Sequence, residues 1–183
     1  MEDILEEDLV PSFRVILSSG VAAKIRDGIP RASAAERAGL GLPYAGLVEA
    51  GGLMMGEHFG ENTFRVTDVS LTIGEPNRYY LDPAEHDSFV GAFRAKCPDA
   101  ARFGIIGSWH SHPSGEPEAS AGDLQTLKAT MAHPSTDLAF KVLLIVCRDA
   151  ADQLRTGGVV LTREPKVLSK IDVSIEADPG QAA

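Results

Sequence analysis

The chain has 183 residues, 44% of them hydrophobic and 23% charged, with a formal net charge of −9. That length and composition suit a single globular domain with its own core, and the acidic balance argues against nucleic acid or an anionic membrane surface, which need a basic patch. No apolar run approaches the ~20 residues of a membrane span, and the acidic start Met1–Asp8 lacks the features of a signal peptide.

Cys97 and Cys147 stand far apart in apolar surroundings, so no disulfide framework is expected. A reducing, cytoplasmic compartment fits that usage.

Residues 1–12 carry five acids and end near Pro11, the pattern of an acidic flexible tail. Phe13 to Leu17 is β-rich and predicts the first strand. Ser18 or Ser19 then caps a helix whose Val21, Ile25 and Ile29 recur every four residues, and Pro30 stops it. Ser33-Ala-Ala-Glu36 has capping-box spacing for a short second helical piece. Residues 39–46 read as a loop from their Gly and Pro content.

Leu53 to Met55 predicts a buried strand entered through Gly51 and Gly52, with Glu49 just ahead of it. A turn at Gly60–Asn62 leads into a β-branched run from Thr63 to Ile73, expected to pair with 53–57 as a hairpin. Its alternation of apolar and polar residues is imperfect. Asp82-Pro83 opens a helix to about Lys96, bearing Phe89, Phe93 and Cys97 four apart, and Pro98 ends it. Phe103 to Trp109 is a core strand, 110–119 a loop, and Ser120 the start of a helix with Leu124, Leu127 and Met131 on one side. Ala139 to Cys147 is the most hydrophobic strand, with two more expected over 153–162 and 167–175. Residues 176–183 form a C-terminal tail. Strands and helices mix without a regular βαβ rhythm, which favours an α+β or mixed α/β domain over 13–175.

The chemistry concentrates in Gly107–Asp123. His110 and His112 leave a strand two residues apart and so project to one side, as two imidazoles on one metal ion must. Asp123 lies eleven residues beyond His112, at the start of a helix that can return its carboxylate to the pair. Two histidines and a carboxylate are a common catalytic zinc set with a position left for water. The same nitrogen and oxygen donors also serve Fe2+ or Mn2+. An isolated His-x-His is more often decoration than a ligand pair, and Ser120-x-x-Asp123 is also a helix cap with an acid at its third position. The two readings are compatible, since a capped first turn is a rigid mount for a ligand.

Hydrolysis further needs a group that takes a proton from water and hands it to the leaving group. Glu49, preceded by apolar residues and followed by glycines, is the best internal candidate, against the plain alternative of a loop carboxylate. His58, His86 and His133 have no ligand-spaced partners and read as structural.

The run His110-Ser-His112-Pro113, six residues, Ser120, two residues, Asp123 resembles the JAMM motif of the JAB1/MPN/Mov34 metalloprotease family. Glu49-Ala-Gly-Gly-Leu-Met-Met-Gly56 is similar to that family's upstream Glu-x-x-Gly-Leu-Leu-x-Gly segment. The resemblance covers roughly 13–175 and implies a mixed sheet flanked by helices. It also implies one Zn2+ on His110, His112 and Asp123, Glu49 as general base and proton donor, and Ser120 as oxyanion stabiliser. The implied activity is hydrolysis of the amide bond after the C-terminus of a ubiquitin or ubiquitin-like protein. The implied partners are that protein, its conjugates, and the activating or conjugating enzymes of such a system.

All five positions are filled, which favours an active, compact prokaryotic-type member over a metal-free scaffold. Two alternatives stand beside it: release of a small adduct from a sulfur-carrier-type ubiquitin-like protein, and a non-catalytic scaffold. Residues 31–46 depart from the family pattern as an expanded Ala/Gly/Pro-rich segment. The long insertions of eukaryotic deubiquitinases are not evident after Asp123, which favours a dedicated ubiquitin-like partner.

Overall fold

The computed structural model describes residues 13–29, 48–60, 62–76, 83–97, 99, 102–112, 116–133, 138–149 and 151–177. The tail over 1–12, the helical piece at 33–36, the loop at 39–46 and the last six residues lie outside them. The elements run β1 (Phe13–Ser18), α1 (Ser19–Gly28), β2 (Val48–Phe59), β3 (Thr63–Val69), β4 (Thr72–Pro76), α2 (Pro83–Lys96) and β5 (Phe103–Ser111). Then follow α3 (Ala121–Ala132), β6 (Phe140–Arg148), β7 (Leu154–Thr162) and β8 (Leu168–Glu176).

The strands form one mixed sheet in the order β3-β1-β8-β7-β6-β5-β2-β4, and β3 also pairs with β2. That extra pairing closes seven strands into a barrel and leaves β4 beyond the closure. β1 runs parallel to β3 and β8, and β5 parallel to β6; the remaining pairs are antiparallel. The expectation of a mixed sheet flanked by helices therefore needs a correction. The strands are mixed, but the sheet curls onto itself, which removes the edges that an open sheet exposes.

Inside the barrel, Val15, Leu17, Met54, Phe64, Val66, Trp109, Val142, Leu144, Val146 and Val160 form one buried cluster. α1 belongs to it through Val21, Ala22 and Ile25, so this helix packs on the interior side rather than flanking the sheet. Burying Val21 and Ile25 contributes about 1.5–3 kcal/mol each. Ser18 caps α1 by accepting the Val21 N–H. The other two helices do flank the barrel. α2 lays Val90 and Phe93 over Leu53 and Met55, and α3 lays Leu127 and Met131 over Leu143, Ile145 and Leu161. Among the described residues, no helix is long and apolar enough to cross a membrane.

The predicted run Thr63 to Ile73 is two strands. β3 carries a bulge where Met55 faces Asp68 but Gly56 faces Val66, which shifts the inward positions from Phe64 and Val66 to Val69. That extra residue is the source of the imperfect alternation. The strand then breaks at Ser70, whose N–H donates to the Leu53 carbonyl and whose Oγ accepts the Leu53 N–H. Beyond the break β4 pairs with the first half of β2, Ala50 opposite Ile73. β2 is accordingly longer than Leu53–Met55, and Glu49 lies on it rather than ahead of it.

Candidate metal centre

The centre is assembled where β2 and β5 meet at one end of the barrel. In their antiparallel register His110 faces Gly51, a residue with no side chain to crowd it. Alternation puts Glu49 on the same face as Gly51, and His112 on the same face as His110. His112 follows the end of β5, yet its N–H still donates to the Val146 carbonyl, so β6 holds it in line. Between the histidines Ser111 turns inward, is fully buried, and accepts the Ala50 N–H at 2.9 Å. This bond fastens the backbone next to Glu49 to the backbone between the two imidazoles.

Asp123 arrives on the first turn of α3. Ser120 is the N-cap: its Oγ accepts the Asp123 N–H at 3.2 Å, while Asp123 Oδ2 accepts the Ser120 N–H at 2.7 Å. This reciprocal capping box sets the carboxylate rigidly, at the helix end whose dipole favours a negative charge. The expected cap and the expected ligand are thus one arrangement.

His110 Nε2 and His112 Nε2 lie 3.1 Å apart, Asp123 Oδ1 is 3.1 Å from the first, and Oδ2 is 3.3 Å from the second. Ligands at about 2.0–2.1 Å from a tetrahedral zinc ion stand roughly 3.3–3.4 Å from one another. The two imidazole nitrogens, and the carboxylate oxygen nearest to each, stand close to that spacing, with one imidazole meeting Oδ1 and the other Oδ2. Among the described residues, this is the group of His, Cys, Asp or Glu side chains that converges closely enough to hold an ion.

The backbone of Glu116 accepts a hydrogen bond from the His112 ring. With Nε2 facing Asp123 and His110, the bond comes from Nδ1, which orients the ring. Two ring nitrogens and a carboxylate therefore converge, an arrangement held together by a proton or a cation between them. The ionisation tendencies reflect the same crowding. Hydrogen bonding to Asp123 raises the His112 pKa against the opposing effect of burial. For Asp123, burial pushes the pKa up, but hydrogen bonds from His110, His112 and Ser120 together hold it far below the usual carboxylate range.

Glu49 is half-buried beside this group. Burial raises the pKa of its carboxyl, His110 and His112 pull it down, and the Asp123 charge pushes it up again. A carboxyl group of raised basicity next to such a converging group has the properties of a general base.

Residues 45–157, more than half of the chain, match the family described as prokaryotic homologs of the JAB domain. The chain belongs to that family. The solution structure of protein DSY2949 from Desulfitobacterium hafniense shares the fold of this JAB-domain chain. Its TM-score is 0.59 at 16% identity, covering 92% of this chain and 97% of that one. No curated protein matches the sequence.

The structure of the JAB-domain chain brings His110, His112 and Asp123 into contact, with Ser120 capping the helix and Glu49 on the adjacent strand. It keeps the other histidines elsewhere: His58 stacks on Phe64, His86 sits beside Asp87, and His133 caps the end of α3. Cys97 and Cys147 are free thiols. Two contributors escape a reading of the motif. Ser111 was detectable, because alternation between two same-facing histidines turns the residue between them into the core. The Glu116 carbonyl was not, since nothing in the sequence reports where a loop carbonyl points.

Proposed function

We propose that the chain is a zinc-dependent isopeptidase or peptidase. In this reading it hydrolyses the amide bond after the C-terminus of a ubiquitin-like protein. The observation that carries it is the pairing of a converging His110, His112 and Asp123 group, whose closest approaches are 3.1, 3.1 and 3.3 Å, with a separate half-buried carboxyl group on the next strand.

His110, His112 and Asp123 would hold the ion. Zinc, when bound, supplies a Lewis acid that polarises the scissile carbonyl and lowers the pKa of water. Glu49 accepts the proton of the attacking water and delivers it to the leaving amine, which its raised pKa suits. Ser120 is exposed at the rim, and its hydroxyl can turn from Asp123 towards the oxyanion that forms when the carbonyl is attacked. Ser111 and the capping box hold these groups in register, so little reorganisation is needed at the moment of reaction.

The surroundings support an extended, peptide-like substrate. β4 lies beside the strand that bears Glu49, and no strand among the described residues pairs with its other edge. Ile73 on β4 is 60% exposed and Leu71 just before it 41%, an apolar rim for a chain lying alongside.

The test uses a ubiquitin-like protein with a small-residue C-terminal tail, joined through its terminal carboxyl to an amine reporter. Wild-type protein loaded with zinc is expected to release the reporter. Glu49→Gln should keep zinc and lose roughly 10²–10⁴-fold in rate. Full activity in Glu49→Gln would refute the assigned base. Zinc uptake with no cleavage of any such fusion or small adduct would favour a scaffold.

A further inference from the structure

Between His112 and Asp123 the chain must leave β5 and return on the first turn of α3. Its described part, 116–119, does not merely span that gap; it is seated on β7 and β8 at successive points. The Glu116 carboxylate ion-pairs with Arg155 on β7. The Pro117 carbonyl lies so close to Gly157 on β7 that a Cβ there would come within 2.1 Å of it. Glu118 reaches Lys170 on β8 at 3.5 Å. Ala119 then packs on the cluster of Leu127, Leu143 and Leu161.

Both ends of this seated segment touch the donor group. At its start the Glu116 backbone accepts the hydrogen bond from the His112 ring. At its end Ser120 caps the helix that carries Asp123. We infer that β7 is a positioning element of the metal centre, with Gly157 and Arg155 seating residues 116–118 so that the His112 ring and the Asp123 carboxylate meet His110. This inference rests on the metal-binding reading proposed above.

The glycine itself argues for it. A glycine inside a strand weakens the strand and commonly marks a place where another backbone approaches closely. Its neighbour Gly158 has a separate reason, a φ of +145° with the Leu143 carbonyl 2.1 Å from where its Cβ would lie. At Gly157 the approaching group is the Pro117 carbonyl. The steric seat outweighs the ion pair: Arg155 and Glu116 are both well exposed, and such pairs contribute little.

The experiment measures zinc affinity by chelator competition and the visible spectrum of the cobalt-substituted protein. It compares wild type, Gly157→Ala, Arg155→Met, Arg155→Lys and the double variant Arg155→Met with Lys170→Met. Gly157→Ala should remain folded by circular dichroism, bind zinc about 10–100-fold more weakly, and show altered cobalt bands, as expected when a ligand's orienting partner moves. Arg155→Met should weaken zinc about two- to threefold, and Arg155→Lys should restore it. The double variant should weaken zinc further than Arg155→Met alone.

Folded Gly157→Ala with wild-type zinc affinity and cobalt spectrum would overturn the inference. If Gly157→Ala does not fold, wild-type affinity in the double variant overturns it, because those two exposed positions leave the core untouched. Wild-type protein that takes up neither metal would instead overturn the metal-binding reading, and this inference with it.

Discussion

Asp123 carries two duties that one pair of substitutions can separate. Its carboxylate accepts the Ser120 N–H at 2.7 Å and lies 3.1 and 3.3 Å from the two imidazoles. Asp123→Ala removes the carboxylate half of the capping box and the donor, leaving Ser120 Oγ on the N–H of residue 123, whereas Asp123→Asn keeps an acceptor for the Ser120 N–H but loses the charged donor. The lost hydrogen bond from the Ser120 N–H accounts for about 1 kcal/mol, and the favourable placement of the charge at the helix N-terminus for roughly 0.3–1 kcal/mol more. At about 2–4 °C per kcal/mol for a chain of this size, Asp123→Ala should lower the melting temperature of the metal-free protein by roughly 3–8 °C. Asp123→Asn should recover about half of that. Structural zinc sites with four ligands bind with about 10–16 kcal/mol, roughly 2.5–4 kcal/mol per ligand, so either variant should lose about two to three decades of zinc affinity. Calorimetry in a chelator reads the first effect and chelator competition the second. Wild-type zinc affinity in Asp123→Asn would refute the ligand assignment. An unchanged melting temperature in Asp123→Ala would refute the capping argument.

Two further predictions test the frame around the site. At Gly52 a Cβ would lie 2.1 Å from the Ser70 carbonyl oxygen, which also accepts the Trp109 Nε1–H at 3.0 Å. Gly52→Ala should therefore cost about 1–3 kcal/mol and lower the melting temperature by roughly 2–12 °C; an unchanged melting temperature would show that the crossing at Ser70 yields freely. Lys141 is partly buried on β6, and desolvation lowers its pKa below the ordinary 10.5. Between its folded value and 10.5 the unfolded chain binds more protons, so the penalty for burying the charge is full below that window and gone above it. Lys141→Met should raise the melting temperature at neutral pH, and its advantage should shrink as the pH approaches 10.5. A gain independent of pH would point to packing instead.

Much of the local structure was legible because it depends on neighbours in the chain. Ser18 and Ser120 cap helices for reasons contained in three or four residues, and Pro83 opens one. Two histidines on one strand face share a side because side chains alternate. Where an extra residue enters, as in the bulge of β3, alternation misleads: Val69 turns inward because the register with β2 slips between Met55 and Gly56. The same limit hid the break at Ser70, which depends on Gly52 lying eighteen residues earlier in β2 and on Trp109 reaching across from β5.

By itself the sequence determined the donor types, their spacing and the helix cap, because a nitrogen and oxygen ligand set and a first-turn acid are properties of residue identity. Glu49 lies sixty-one residues before His110, and only the tertiary structure decided that they share a face. The register of β2 on β5 places Gly51 opposite His110, and Ser111 ties Ala50 to that register. Closure of the sheet was likewise undecided by the chain's local pattern. It depends on β3 pairing with both β1 and β2, and such long-range partners are chosen by the packing of the whole interior rather than by any one segment.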